Sequence, residues 1–222
     1  MSHCIVSVGV GQWYPRGLKR LERSLNLHGW GGEVMLWNDR YPDGCPTHQE
    51  QPYAFKIAAI EAARNAGHDT VMWIDTSGWA IADPIKILQH AEVHGHYFWT
   101  SGFGTAQWTN DRTLEYFGVT REWARTIPMI YACVMVLDFR YERTRIFFEQ
   151  WKQAMNDGVF AGSWTRQPED TEAMDYTGHR HDQSAASVIA GKLGMDIDMT
   201  CDTCRTYEPN PPETVKLLFR GL

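Results

Sequence analysis

Within the first hundred residues, four short apolar runs alternate with three helix-patterned segments, and few folds accommodate that order. Cys4 to Val8 reads as a strand that runs into the Gly9-Val10-Gly11 loop. Arg16 to His28 follows as a helix, with Leu18, Leu21 and Leu25 on one face and Gly29 beyond its end. Glu33 to Trp37 is a second strand, closed by Asn38-Asp39. Pro52 opens a helix that runs to Ala66, and Gly67 stops it. Val71 to Asp75 is a third strand, apolar and β-branched enough to be covered on both faces. Asp83-Pro84 starts another helix that ends near Gly95, and His96 to Thr100 is a fourth strand. The order β-α-β-α-β-α-β predicts a mainly parallel sheet with helices on its faces.

The second half is less regular. Residues 102–126 read as loop and short helices carrying aromatic residues, Met129 to Leu137 as a strand, and Thr144 to Met155 as a helix. A polar loop from Gly158 to Gly178 is long enough to be functional. Asp182 caps a helix that runs to Leu193, and the Cys- and Pro-containing tail is expected to pack as coil. A chain of 222 residues fits one α/β domain. The expected division is a nucleotide-binding half over 1–100, an acceptor half over 101–200 and a tail over 201–222.

The net charge of −6, without a basic run, argues against tight nonspecific nucleic-acid binding but leaves room for a local basic patch. No segment is as long and apolar as a membrane-spanning helix. With the first strand starting near Cys4, no secretory leader is expected, and the reading is a soluble, cytoplasmic protein. Five cysteines, an odd count, argue against a disulfide framework. Ten Trp, nine Tyr and nine Phe are many for this length; most belong in a core, and two or three are expected to line a cleft where flat rings stack on sugars or bases.

Val71-Met72-Trp73-Ile74-Asp75-Thr76-Ser77 places a carboxylate at the carboxyl end of a buried strand, the rim at which open α/β sheets bind ligands. A strand-end Asp also caps turns, so other segments must carry the argument. Three do: Ser7-Val8-Gly9-Val10-Gly11, Pro52-Tyr53-Ala54-Phe55-Lys56 at a helix start, and His181-Asp182-Gln183-Ser184 at another. In this order and spacing the four pieces resemble the GT-A-type glycosyltransferases, which use nucleotide-sugar donors, over Cys4 to about Met195.

The resemblance implies an α/β/α sandwich with a mixed, mainly parallel sheet. It also implies transfer of a sugar from a nucleotide-diphosphate donor to a hydroxyl acceptor. It assigns donor binding to Ser7, Val8, Gly9, Gln12, Lys56, Asp75, Ser77 and Arg180, with Arg180 on the diphosphate leaving group. Lys56 stands near a helix amino end, where the dipole favours anions, and that misplacement suits a residue that meets a phosphate. A solvated surface Lys is the plain alternative. Asp75 and Asp182 are the catalytic candidates, Asp182 as base toward the acceptor, with Glu169-Asp170 as a rival.

The family's metal motif has two acids separated by one residue. Here the second acid is Ser77, and no His follows His181 to serve as a late ligand. The implied ion is Mn2+ or Mg2+; with one acid left it is either held weakly by Asp75 with help from His179, His181 or Asp182, with Asp75, His181 and Asp182 as the ligand set, or absent. Cys201-Asp202-Thr203-Cys204 has zinc-ligand spacing, and Cys45 with His48 supplies a second half for a structural Zn2+. Two other functions stay open: a non-catalytic sugar- or nucleotide-binding protein on a degenerate transferase scaffold, and a nucleotidyltransferase. The latter usually has a longer, more basic phosphate loop than Gly9 to Arg16.

Overall fold

A computed structural model describes residues 2–200 and 202–220. The elements, in order, are β1 (His3–Gly9), α1 (Tyr14–Leu27), β2 (Glu33–Asn38), α2 (Ala54–Asn65), β3 (Thr70–Ile74), β4 (Gly78–Ala80) and α3 (Ile85–His94). They continue with β5 (His96–Tyr97), β6 (Thr100–Gly104), a 3-10 turn (Thr105–Trp108), α4 (Asp111–Tyr116), α5 (Arg121–Arg125), β7 (Pro128–Ile130) and β8 (Val134–Asp138). The last are α6 (Glu142–Asn156), α7 (Asp182–Leu193), β9 (Cys204–Thr206) and β10 (Leu217–Phe219).

The central sheet has the order β2-β1-β3-β8-β5. β1 pairs in parallel with β2 and β3. β8 runs antiparallel to both β3 and β5, so it alone points the other way. The sheet is therefore mixed and mainly parallel, as the β/α alternation requires. Along β1 the side chains alternate between two cores. Cys4, Val6 and Val8 face the α2/α6/α7 side with Trp73, Phe147, Phe148 and Trp151. Ile5 faces the α1/α3 side with Leu21, Leu25, Leu88, Trp99 and Phe219. Leu18, Leu21 and Leu25 of α1 are all buried, as their spacing predicts. α7 is buried nearly all round, because Ala185, Ala186, Ser187 and Ala190 are small enough to let it seat between its neighbours.

Three expectations need correction. The strand expected over 96–100 is two strands: a parallel bridge between Trp99 and Asp198 and a bond from Tyr131 N to Trp99 O turn the chain out of the central sheet. The strand expected over 129–137 is likewise β7 and β8, divided at Tyr131-Ala132-Cys133. The tail is not coil: β10 pairs antiparallel with β4 and in parallel with β9, forming a second, three-stranded sheet. Each of its strands is three residues long, too short for period-2 patterning to stand out in the sequence.

Candidate functional site

The carboxyl ends of β1 and β3 open on a pocket of about 250 Å3 lined by Val8, Tyr14, Tyr41, His48, Tyr53, Phe55, Lys56, Trp73 and Asp75. Parallel α/β sheets bind ligands at this edge. A larger cleft, about 580 Å3, lies at the opposite edge among His3, Trp30, Glu33 and His68. There His3 pairs with Glu92 and His68 with Glu33, and the cleft lies at the amino ends of the strands, away from the edge at which such sheets bind ligands. In the first pocket five aromatic rings supply flat apolar walls, and Asp75 supplies a carboxylate with 27% of its side chain exposed.

Asp75 is held by what surrounds it. Its backbone N donates to Cys133 O at 2.8 Å, so the strand division at 131–133 also fixes the acid. Trp73 Nε1 donates to its Oδ1 at 2.6 Å. Behind it lies Lys56, 3% exposed, with Nζ 3.4 Å from Asp75 Oδ1 and 2.9 Å from Asp182 Oδ2. Lys56 Nζ also donates to Ala132 O at 2.9 Å. The ammonium lies over the rings of Tyr53, at 5.3 Å, and Trp73, at 5.5 Å. Burial alone would lower the Lys56 pKa, but the Asp182 and Asp75 carboxylates more than reverse it, and the group stays charged.

The position of Lys56 near the start of α2 thus has a cause other than a phosphate. Its unfavourable place in the helix dipole is compensated by Asp182, in the first turn of α7, where that dipole favours a negative charge. Asp182 is not the cap of α7. The cap is His181, and no side chain bonds there; Asp182 is the first helical residue.

The two helix starts are strained. Tyr53, cap of α2, has φ +59°, and His181, cap of α7, has φ +53° with ψ −120°. Such conformations cost non-glycine residues on the order of 1–3 kcal/mol and gather at functional sites. Here the two rings meet, centroids 5.2 Å apart. His181 Nδ1 bonds to Phe160 O at 2.7 Å, and burial lowers its pKa, so the imidazole is neutral.

Arg180, one residue earlier, is sandwiched. Its guanidinium lies 3.9 Å from the Trp108 ring centroid and 4.2 Å from that of Trp164. No carboxylate pairs with it among the described residues, and its Nε is buried without a hydrogen-bond partner. Trp164 belongs to the long 158–178 loop. A Cβ on Gly178 would lie 2.1 Å from Trp164 O, so only glycine permits this close approach of the two backbone segments.

The remaining sequence candidates fall into three groups. Val8 lines the pocket with Lys56 and Asp75. Ser7 is fully buried and points to the opposite face of β1, because alternate residues of a strand face opposite ways. Gly9 serves packing: an added Cβ would come 2.9 Å from Tyr14 O at the start of α1. Gln12 is exposed outside the pocket, and Ser77 turns its backbone carbonyl toward Arg20 Nη2 at 2.8 Å. Asp182, 3% exposed, does not line the pocket and lies against Lys56, with Oδ2 2.9 Å from its Nζ. Asp170, the rival acid, accepts from the Tyr176 hydroxyl in a separate surface groove.

The zinc set does not assemble as the spacing requires. Cys45 packs on the α2/α6/α7 side of the sheet and Cys204 is buried on the α1/α3 side, while Cys201 lies outside the described residues. His48 Nδ1 accepts from Tyr53 N at 3.2 Å. Trp108, Trp164, Tyr53 and the Ala132 carbonyl are the site groups that motif reading missed. An excess of aromatic residues was their one signal.

No protein-family model matches the chain, and no curated protein sequence matches it. Among solved structures the chain is similar to mouse xyloside xylosyltransferase 1 in its apo form. That likeness has a TM-score of 0.56 and 10% identity over 99% of this chain and 98% of the other. It shows a shared α/β fold, with the mixed, mainly parallel sheet already described, consistent with the expected GT-A-like architecture. Among the described residues, no helix is long and apolar enough to cross a membrane.

Proposed function

We propose that the chain is a glycosyltransferase that moves a sugar from a nucleotide-diphosphate donor to a hydroxyl acceptor. The observation that carries this reading is an aromatic-walled pocket at the carboxyl ends of β1 and β3 with one accessible carboxylate, Asp75; beyond its lining, within electrostatic reach of Tyr53, stands Arg180, whose guanidinium has no carboxylate partner among the described residues. A cavity of about 250 Å3 takes one end of a nucleotide sugar, and its rings suit a base or a sugar face. Arg180, fixed between two indoles, meets the diphosphate and stabilises the charge that develops as the sugar leaves. Asp75 is the carboxylate that faces the reacting groups and accepts the acceptor's proton. Asp182 acts from behind, setting the charge and position of Lys56.

The test is calorimetry across uridine and guanosine diphosphate sugars, followed by donor hydrolysis and transfer assays. Binding of one donor, with turnover that falls about 10²-fold or more in Asp75→Asn, is the expected result. No binding at millimolar nucleotide would remove the proposal. A second reading, a non-catalytic binder on this scaffold, draws on Ser77 standing where the second acid belongs. Donor binding with neither hydrolysis nor transfer would favour it.

A further inference from the structure

Metal sites of this fold place a divalent ion against paired acids, and this chain's own residues do not fit such an ion. Mg2+ and Mn2+ require several oxygen ligands close about the ion. Asp75 Oδ1 already accepts from Trp73 Nε1 at 2.6 Å and lies 3.4 Å from Lys56 Nζ. Asp182 Oδ2 lies 2.9 Å from the same ammonium. The volume between the two carboxylates is therefore filled by a cation that belongs to the chain.

That cation is not free to leave. Lys56 is 3% exposed, lies over two aromatic rings and donates to the Ala132 carbonyl. His181 spends Nδ1 on Phe160 O, which leaves only Nε2 to meet an ion. No group of three or more His, Cys, Asp or Glu among the described residues is placed to hold a metal ion. A divalent ion brought to Asp75 would also meet a fixed like charge a few ångströms away.

We infer that Lys56 supplies from within the chain the positive charge that a divalent ion supplies beside paired acids, and that the Asp75–Asp182 pair binds neither Mn2+ nor Mg2+. The ion-binding half of this inference stands on the side-chain arrangement alone; only its bearing on donor binding rests on the transferase reading. The departure at Ser77 then has a physical account, because a second acid there would add negative charge with no ion to meet it.

The test begins with the full chain, stripped with EDTA, desalted and titrated with MnCl2 while the free-ion EPR signal is followed. The wild type is expected to leave that signal as it is in buffer. A loss that saturates at one ion per chain and disappears in Asp75→Asn would overturn the inference. A loss that survives Asp75→Asn comes from acids elsewhere and supports it. Lys56→Met, if circular dichroism shows it folded, is expected to gain one Mn2+ per chain, and a folded variant without that gain counts against Lys56 as the excluding cation. If Lys56→Met does not fold, Lys56→Arg takes its place. It is expected to fold and bind no ion, and Mn2+ binding that Asp75→Asn abolishes in that background overturns the inference. In a second arm, UDP and GDP binding is measured by calorimetry in EDTA and in MnCl2. Equal affinity supports the inference, and binding that requires Mn2+ overturns it. Absence of nucleotide binding in both conditions removes the transferase reading, while the EPR result still decides the ion question.

Discussion

Asp182→Asn separates a capping role from a charge role by its effect on stability. Asn and Asp are equivalent as helix caps, so a purely capping Asp182 would tolerate the change. The structure gives a different expectation, because His181 is the cap and Asp182 Oδ2 faces the Lys56 ammonium at 2.9 Å with both residues 3% exposed. Removing one partner of a buried pair costs roughly 3–5 kcal/mol. Lys56 keeps Asp75 at 3.4 Å and the Ala132 carbonyl at 2.9 Å, which argues for the lower end, about 3 kcal/mol. For a chain of this size that is a fall in Tm of about 6–12 °C. The melt is followed by circular dichroism at neutral pH for wild type, Asp182→Asn, Lys56→Met and the double variant, so that the coupling is read from a cycle. The pH dependence has a definite sign. The folded Lys56 pKa is raised above the ordinary value of 10.5, so its contribution is complete below that value and declines as pH rises beyond it. The gap between wild type and Asp182→Asn should therefore narrow in alkaline buffer. A Tm within about 2 °C of wild type at neutral pH, under 1 kcal/mol by the same conversion, would refute the buried pair.

Arg180→Lys keeps the charge but loses the plane that stacks between Trp108 and Trp164, so nucleotide-sugar affinity should fall by about tenfold, measured by calorimetry. An unchanged Kd would free the sandwich from any ligand role. His179 is fully buried, and burial together with neighbouring His181 depresses its pKa to about 4. Its unfolded form binds the proton first, so stability should fall as pH drops from about 6.5 toward 4, by about 3 kcal/mol in all. His179→Gln should flatten that part of the curve in acid melts, and an unaltered slope would place the acid sensitivity elsewhere.

The parts legible in the sequence were those carried by local pattern. The Leu18, Leu21 and Leu25 stripe marks α1, the apolar runs mark β1 and β3, and the strand-end position of Asp75 puts it at the ligand-binding rim. What was not legible depended on contacts distant along the chain. Nothing near Lys56 announces that Asp182 and Ala132 will surround it, so its place at a helix start read as an invitation to phosphate. The 131–133 division is likewise set by Trp99 and Asp75, which the local run of apolar residues conceals. The aromatic excess pointed to a cleft, but which rings would meet depended on the turns at Tyr53 and His181, whose positive φ values no residue preference foretells.

The small sheet formed by β4, β9 and β10 bears on the order in which the molecule matures. β4 begins three residues after Asp75, yet its partner strand lies about 140 residues further along the chain. Arg220 N also reaches back to Ser77 O at 3.1 Å, within the same turn. Closing so long a loop is entropically costly and slow compared with pairing β1 to β2 and β3. A collapsed intermediate can thus hold the central sheet while the segment after the key acid still fluctuates. In pulse-labelled hydrogen exchange, the amides of β1 and β3 should gain protection before those of β4, and ligand-binding competence should appear with the later phase.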